Sequence, residues 1–151
     1  MLDGDILRRG LCADLGFSES DRHENIRRAA YLAHTLMKTG LIVIAAFITP
    51  YHADQDAIRQ AIPTGQLVMG YVDCPLDVCM ARDPKGLYKK AQSGDIARFT
   101  GISDPYEPPL APDVHLLTAT ISVRDALLTL HQHLLARGLL SETTTVSEGV
   151  T

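Results

Sequence analysis

Four stretches of the sequence combine residue types in ways that could do chemistry. The first is Asp3-Gly4-Asp5, two carboxylates around a glycine, followed by Arg8. Such a pair can hold Mg²⁺ through water or orient a hydroxyl for proton removal. The plainer alternative is a turn whose Asp5 caps the next short helix. The second is Leu15-Gly16-Phe17-Ser18 with Arg22, Asn25 and Arg28 behind it. Arginine at Arg22 or Arg28 can clamp a phosphate or sulfate through two parallel N–H donors, although a solvated helix arginine is the commoner case. The third is Ile48-Thr49-Pro50, at the end of an apolar run where backbone groups can approach a ligand.

The fourth stretch runs from Arg82 through Lys85, Lys89 and Lys90 to Arg98, and holds five basic residues against two acidic ones. Glycines and prolines punctuate it, so it reads either as a solvated face or as a lid that closes over phosphates and excludes water. Phe17 and Phe99 are two of only three phenylalanines, and both sit among Gly, Ser, Thr and Arg rather than in apolar runs. Rings so placed stack on a planar ligand or cover a core edge. His131 and His133, two apart on a helical pattern, point to different faces and do not suggest a metal site. Neither a Gly-x-Ser-x-Gly elbow nor a Gly-x-Gly-x-x-Gly turn occurs.

The elements that must carry these residues alternate. Ser18 and Asp21 form a capping-box-like start, and Ile26, Ala29, Ala30, Ala33, Leu36 and Met37 recur at helical spacing up to a stop at Gly40. Leu41 to Phe47 is a continuous apolar run, which predicts a parallel strand buried on both faces. A weaker helix over residues 51–61 precedes the Pro63-Thr-Gly65 break and a strand over 67–72. A short helix follows around Val78 to Ala81. After a proline-rich connection come a strand around Val114 to Leu117 and a helix capped by Ser122 and Asp125. Its predicted apolar stripe is Val123, Ala126, Leu127, Leu130 and Leu134. This order predicts an α/β domain with a parallel sheet over residues 1–138, and a flexible tail over 139–151.

Composition bounds the function. At 151 residues, with 46% apolar and 21% charged residues, one globular domain is expected. The net charge of −4 offers no broad electrostatic footprint for nucleic acid or a membrane surface, so any anionic ligand must be held locally. The longest apolar run is too short to cross a bilayer and the first twenty residues are too charged for a signal peptide, which predicts a cytoplasmic protein. The three cysteines, Cys12, Cys74 and Cys79, have neither CxxC nor zinc-knuckle spacing and read as reduced structural thiols.

Taken together, the motifs resemble those of the adenylyl-sulfate kinases. The matching segments are Leu2-Asp-Gly-Asp5 with Arg8, Asp14-Leu-Gly-Phe17-Ser18, Asp21-Arg22, Glu24-Asn-Ile-Arg-Arg28 and Phe47-Ile-Thr-Pro-Tyr51. Val72-Asp-Cys-Pro-Leu76, Ala81-Arg-Asp-Pro-Lys-Gly-Leu-Tyr-Lys-Lys90, Phe99-Thr-Gly-Ile102 and Asp104-Pro-Tyr-Glu107 continue the series in order. The resemblance implies a P-loop-kinase-like parallel sheet with flanking helices. It also implies transfer of the γ-phosphoryl group of ATP, with Mg²⁺, to the 3′-hydroxyl of adenosine 5′-phosphosulfate. By the same resemblance Arg8, Arg22 and Asn25 would bind the phosphosulfate, with backbone contacts from Ile48 and Thr49, and Phe17 and Phe99 would sandwich the adenine. Asp3 and Asp5 would lie near the attacking hydroxyl and Asp3 near Mg²⁺, while Arg82, Lys85 and Lys89 would belong to the lid. A homodimer is part of the expectation.

The departures from the family pattern concern the ATP side. The Gly-x-x-x-x-Gly-Lys-[Ser/Thr] loop that holds the β- and γ-phosphates occurs nowhere in the chain. In the family the strand before it lies in the middle of the sheet, so its absence is expected to open the core. His52 and Gln55 stand where arginines are common, and Leu117 where an acidic residue is usual. The chain is therefore read as an N-terminally truncated kinase with weak or absent turnover and residual substrate affinity. The alternatives are a part of a larger polypeptide, a short regulatory protein that binds adenosine 5′-phosphosulfate without phosphorylating it, and another P-loop small-molecule kinase.

Overall fold

The computed structural model describes residues 1–141; the predicted tail beyond Ser141 lies outside them. Helices and parallel strands alternate as the sequence predicts. The described strands, however, form two separate two-stranded sheets rather than one. The chain divides into two units, the first comprising Met1–Val68 and Leu76–Ala111, the second comprising Met69–Pro75 and the chain from Pro112 onward.

In the first unit β1 (Leu2–Asp3) leads directly into a single helical turn, α1 (Gly4–Leu7). The long helix α2 (Glu19–Met37) begins where the sequence places it: Ser18 Oγ accepts from the Asp21 amide at 3.1 Å, and Asp21 Oδ2 accepts from the Ser18 amide at 3.3 Å. Aspartate here closes a capping box that more often uses glutamate or glutamine. Gly40, at φ +85°, turns the chain out of the helix. One face of α2 is buried, and its residues are Arg22, Asn25, Ile26, Ala29, Ala30 and Ala33. The small side chains let α2 lie against α3 (His52–Ala61).

The run Leu41–Phe47 corrects the sequence expectation. Only Ala45–Ala46 are strand (β2), paired in parallel with β1, and Leu41, Ile42 and Ile44 are exposed rather than buried on both faces. A buried parallel strand needs neighbours on both edges and cover on both faces. Among the described residues β2 has one hydrogen-bonded neighbour, so its apolar side chains have little to pack against. The unit ends with α4 (Leu76–Arg82) and α5 (Leu87–Gln92). The latter gives helical order to part of the predicted lid, because the Asp83 carboxylate accepts from the Tyr88 and Lys89 amides at 3.1 Å each.

In the second unit β3 (Gly70–Asp73) pairs in parallel with β4 (Val114–Leu117), in the register Gly70 to Val114 through Asp73 to Leu117. Helix α6 (Val123–Ala136) starts at Ser122, whose Oγ accepts from the Asp125 amide at 3.1 Å. No residue of α6 is buried, and Val123 and Leu127 of its predicted apolar stripe are exposed. Ala126, Leu130 and Leu134 of the stripe are half-buried and α6 contacts β4, so the predicted stripe finds cover only in part: helical spacing defines a face but not how much of it is covered.

Candidate functional site

A cavity of about 350 Å³ in the first unit is lined by Asp3, Gly4, Asp5, Arg8, Phe17, Arg22, Asn25, Ile26, Ala46, Phe47 and Ile48. Seven of the residues singled out from the sequence therefore meet in one place, contributed by the β1–α1 turn, the start of α2 and the end of β2. Gly4 permits the close approach on which this depends, since a Cβ there would lie 3.2 Å from the Phe47 ring.

The two acids play different parts. Asp3, not Asp5, caps α1: its Oδ1 accepts from the Asp5 and Ile6 amides at 2.9 and 3.1 Å. Asp5 instead receives Lys85 Nζ on Oδ2 at 2.7 Å. The Lys85 hydrogen bond and charge hold the Asp5 carboxyl below the ordinary carboxylate range, so it is ionised at neutral pH. Lys85, 80 residues away in sequence, thus reaches the cavity rim. Both partners are well exposed, and the pair contributes little to stability.

Arg8 and Arg22 bring two positive charges to a lining that also holds Asp3 and Asp5. Arg8 donates Nη1 to the Gly16 carbonyl at 2.7 Å and lies 4.4 Å over the Phe17 ring. Burial, reinforced by the neighbouring Arg22 charge, lowers the pKa of its guanidinium, which nevertheless stays protonated. Arg22 lies 5.6 Å from the same ring, donates Nε to the Phe17 carbonyl at 3.2 Å and is only 7% exposed. The solvated alternative for Arg22 is thereby excluded. Asn25, 5% exposed, has a buried Oδ1 with no hydrogen-bond partner. Two converging guanidiniums, an aromatic face and an unsatisfied amide make a built site for a planar, anionic ligand.

Other predicted residues lie elsewhere. Arg28 is taken up by Asp14 and Glu24, and its two hydrogen bonds to Asp14 are 2.6 and 2.8 Å. Hydrogen bonds from Arg27 and Arg28 hold Glu24 down to about 2. Thr49 and Phe99 are not among the lining residues: the Thr49 carbonyl accepts from Gln55 at 3.2 Å, and Phe99 meets Tyr88 edge-on at 4.9 Å. Arg82 and Lys89 likewise lie outside the lining, both on exposed positions. Asp104 is the contact that sequence reasoning passed over. Its carboxylate stands 3.5 Å from Arg22 Nη2, 82 positions along the chain, and both side chains are largely buried.

Next to the site, His23 joins α2 to α3. Its Nδ1 meets Asp54 Oδ1 at 2.5 Å, and its Nε2 lies 3.5 Å from Glu19. The Asp54 hydrogen bond raises its pKa above the ordinary 6.5. A raised folded-state value means that the stabilisation is complete below the unfolded value and is lost as pH rises through the folded one. The melting temperature is expected to fall between pH 6 and pH 9 by on the order of 1–2 °C, given the half-exposed ring. In His23→Gln that portion of the slope should vanish, as differential scanning fluorimetry across the pH range would show.

No group of three or more His, Cys, Asp or Glu that could hold a metal ion occurs among the described residues. With Asp3 Oδ1 committed to the helix cap and Asp5 to Lys85, the acids of the cavity do not by themselves fit Mg²⁺. None of the three cysteines is in a disulfide, and Cys12 is fully buried. No helix among the described residues is long and apolar enough to cross a membrane.

Comparison with known proteins adds sequence and structural relatives. Residues 1–117 match the family model for adenylylsulphate kinase. The chain is 54% identical over 123 residues to the adenylyl-sulfate kinase of Vibrio cholerae, covering 82% of this chain and 57% of that protein. It is 47% identical over 143 residues to that of Acaryochloris marina, covering 95% and 70%. The chain thus spans little more than half the length of the first of these relatives. Among solved structures it is similar to the Mycobacterium tuberculosis APS kinase CysC in complex with AMPPNP and APS. That match has a TM-score of 0.84 and 40% identity over 89% of this chain and 78% of that one.

Proposed function

Because the chain belongs to the adenylyl-sulfate kinase family, we propose that it forms the part of such a kinase that binds adenosine 5′-phosphosulfate and presents its 3′-hydroxyl to the γ-phosphoryl group of ATP. The product would be 3′-phosphoadenosine 5′-phosphosulfate, in sulfate assimilation. The observation that carries the reading is the meeting of Arg8, Arg22, Phe17 and Asn25 in one cavity beside Asp3 and Asp5. A solved relative described as holding both APS and an ATP analogue supports it.

In this reading Arg8 and Arg22 neutralise the phosphosulfate. Asn25, whose amide is unsatisfied, is completed by the ligand, and Phe17 provides a face for the purine. Ile48 and Thr49 border the substrate through their backbone, and Phe99 closes on the purine from the segment that follows the lid residues Arg82, Lys85 and Lys89. Asp5, kept ionised by Lys85, and Asp3 stand at the turn where a hydroxyl would be oriented. Phosphoryl transfer needs mainly positioning and charge neutralisation, so an orienting carboxylate suffices. ATP and Mg²⁺ supply the transferable group and charge compensation in the family reaction. The residues that would cradle the ATP phosphates are not among these 151, and the acids present do not fit Mg²⁺ unaided. What this chain provides is the acceptor-substrate half of the site. A cytoplasmic location and a homodimer belong to the same reading; one structural relative is described as hexameric.

Isothermal titration of the purified chain with adenosine 5′-phosphosulfate tests the reading. Micromolar binding, with free adenosine at least ~100-fold weaker, is the expected result, since two charge-assisted clamps separate the ligands. Equal affinity for both would remove the phosphosulfate role of Arg8 and Arg22. A second reading is a protein that binds adenosine 5′-phosphosulfate without turnover. Coupled-assay turnover of ATP by this chain would exclude it.

A further inference from the structure

Arg22 carries a buried charge that needs a counter-charge. Arg8 cannot help, being a second cation on the same aromatic ring. The compensating charge is Asp104, whose Oδ2 lies 3.5 Å from Arg22 Nη2. That distance is an ion-pair separation without hydrogen-bond geometry, and Oδ2 is buried with no hydrogen-bond partner. Asp104 therefore balances the charge of Arg22 while leaving its Nη donors unspent. Among the described residues the only hydrogen bond from the guanidinium is from Nε, to the Phe17 carbonyl. One fixed edge and one free edge is the state a guanidinium needs in order to receive an anion bidentately.

Asp104 is itself rigidly placed. The Phe99 carbonyl accepts from the amides of Ile102, Ser103 and Asp104 at 3.0–3.1 Å, and the Gly101 amide donates to the Asp104 carbonyl at 2.8 Å. Ser103 Oγ accepts from the Phe99 amide at 2.8 Å, and Thr100 is buried within this turn. Gly101, at φ +86°, supplies the backbone conformation that closes it. The turn makes Phe99 and Asp104 one rigid piece. Through the Arg22 ion pair that piece is registered against α2.

We propose that Asp104 is a positioning residue: it holds the Arg22 guanidinium with its free donors toward the cavity. The inference rests on the proposed phosphosulfate site, and its consequence for binding follows from that reading. Removing the Asp104 charge would leave Arg22 buried, uncompensated and free to turn away. Phosphosulfate binding should then suffer selectively, since the Nη donors that Asp104 orients serve the anion and not the purine.

Two measurements on the full chain separate the inference from the reading beneath it. The first is nitrogen-15 NMR of the Arg22 side chain. Hindered Nη signals in the natural protein should be lost in Asp104→Asn and restored in Asp104→Glu. Unchanged signals in Asp104→Asn would overturn the proposal whether or not any nucleotide binds. The second is titration with adenosine 5′-phosphosulfate and with adenosine. Asp104→Asn should weaken the first ~10-fold and leave the second within about two-fold, and Asp104→Glu should recover most of the loss. Equal weakening of both ligands would mark a purely structural role and overturn the proposal, as would no weakening. Failure of the natural chain to bind either ligand would count against the phosphosulfate site, while the NMR comparison would still decide the role of Asp104.

Discussion

Arg22→Ala is expected to weaken binding of adenosine 5′-phosphosulfate by about 100-fold, a loss of ~2–3 kcal/mol. The size follows from what is removed: a planar fork at a nearly dry site, where a charge-assisted bidentate contact is worth about twice a neutral one. The change also strands the buried Asp104 carboxylate, so the variant should melt earlier as well. Arg22→Lys separates the two effects. A lysine keeps a positive charge near Asp104 but offers no second parallel donor and cannot hold the Phe17 carbonyl in the same way. It should recover most of the stability and little of the affinity. Calorimetric titration beside thermal melts of the three proteins would check this. An Arg22→Ala affinity within a factor of three of the natural protein would remove Arg22 from the ligand site.

The largest stability effect is expected at Ile26. Its side chain is 3% exposed, lies between Asn25 and the alanine stripe on the buried face of α2, and forms part of the cavity wall. Ile26→Ala removes buried methyl groups and leaves a space beneath Arg22 and Asn25 that small alanine neighbours cannot refill. The expected cost is ~2–4 kcal/mol, and a fall in melting temperature on the order of 10 °C. Ile26→Val, which deletes one methylene equivalent, should cost about 1 kcal/mol. Val123→Ala, at an 88% exposed position of α6, should change the urea midpoint hardly at all. If Ile26→Ala and Val123→Ala shifted that midpoint equally, the buried face of α2 would not be the stabilising core of the first unit.

The start and end of α2 could be read directly from the sequence because their determinants are local: Ser18, Asp21 and Gly40 act within a turn of the residues they organise. The same helix also held a clue to the site. Its apolar stripe, extended backwards by one turn at the same spacing, runs through Asn25 and Arg22, and two polar residues on a buried face need a partner. The roles of Asp3 and Asp5 were not separable in advance. Either could have capped α1, and Lys85, which claims Asp5, is remote in sequence. Asp104 was hidden for the same reason, since a contact across 82 residues leaves no periodic trace. Leu41–Phe47 misled in the opposite direction. Hydrophobicity measures how strongly a segment seeks cover, and the described residues do not provide that cover.

That unpaired flank of β2 bears on how the protein must be handled. Backbone donors and acceptors along a strand that has one neighbour among the described residues, flanked by Leu41, Ile42 at 73% exposure and Ile44, form a template onto which an extended chain can add. Neither a proline nor a charged residue interrupts residues 41–48. The purified chain is thus inclined toward self-stacking, and light scattering at rising concentration would register that tendency sooner than any assay of ligand binding.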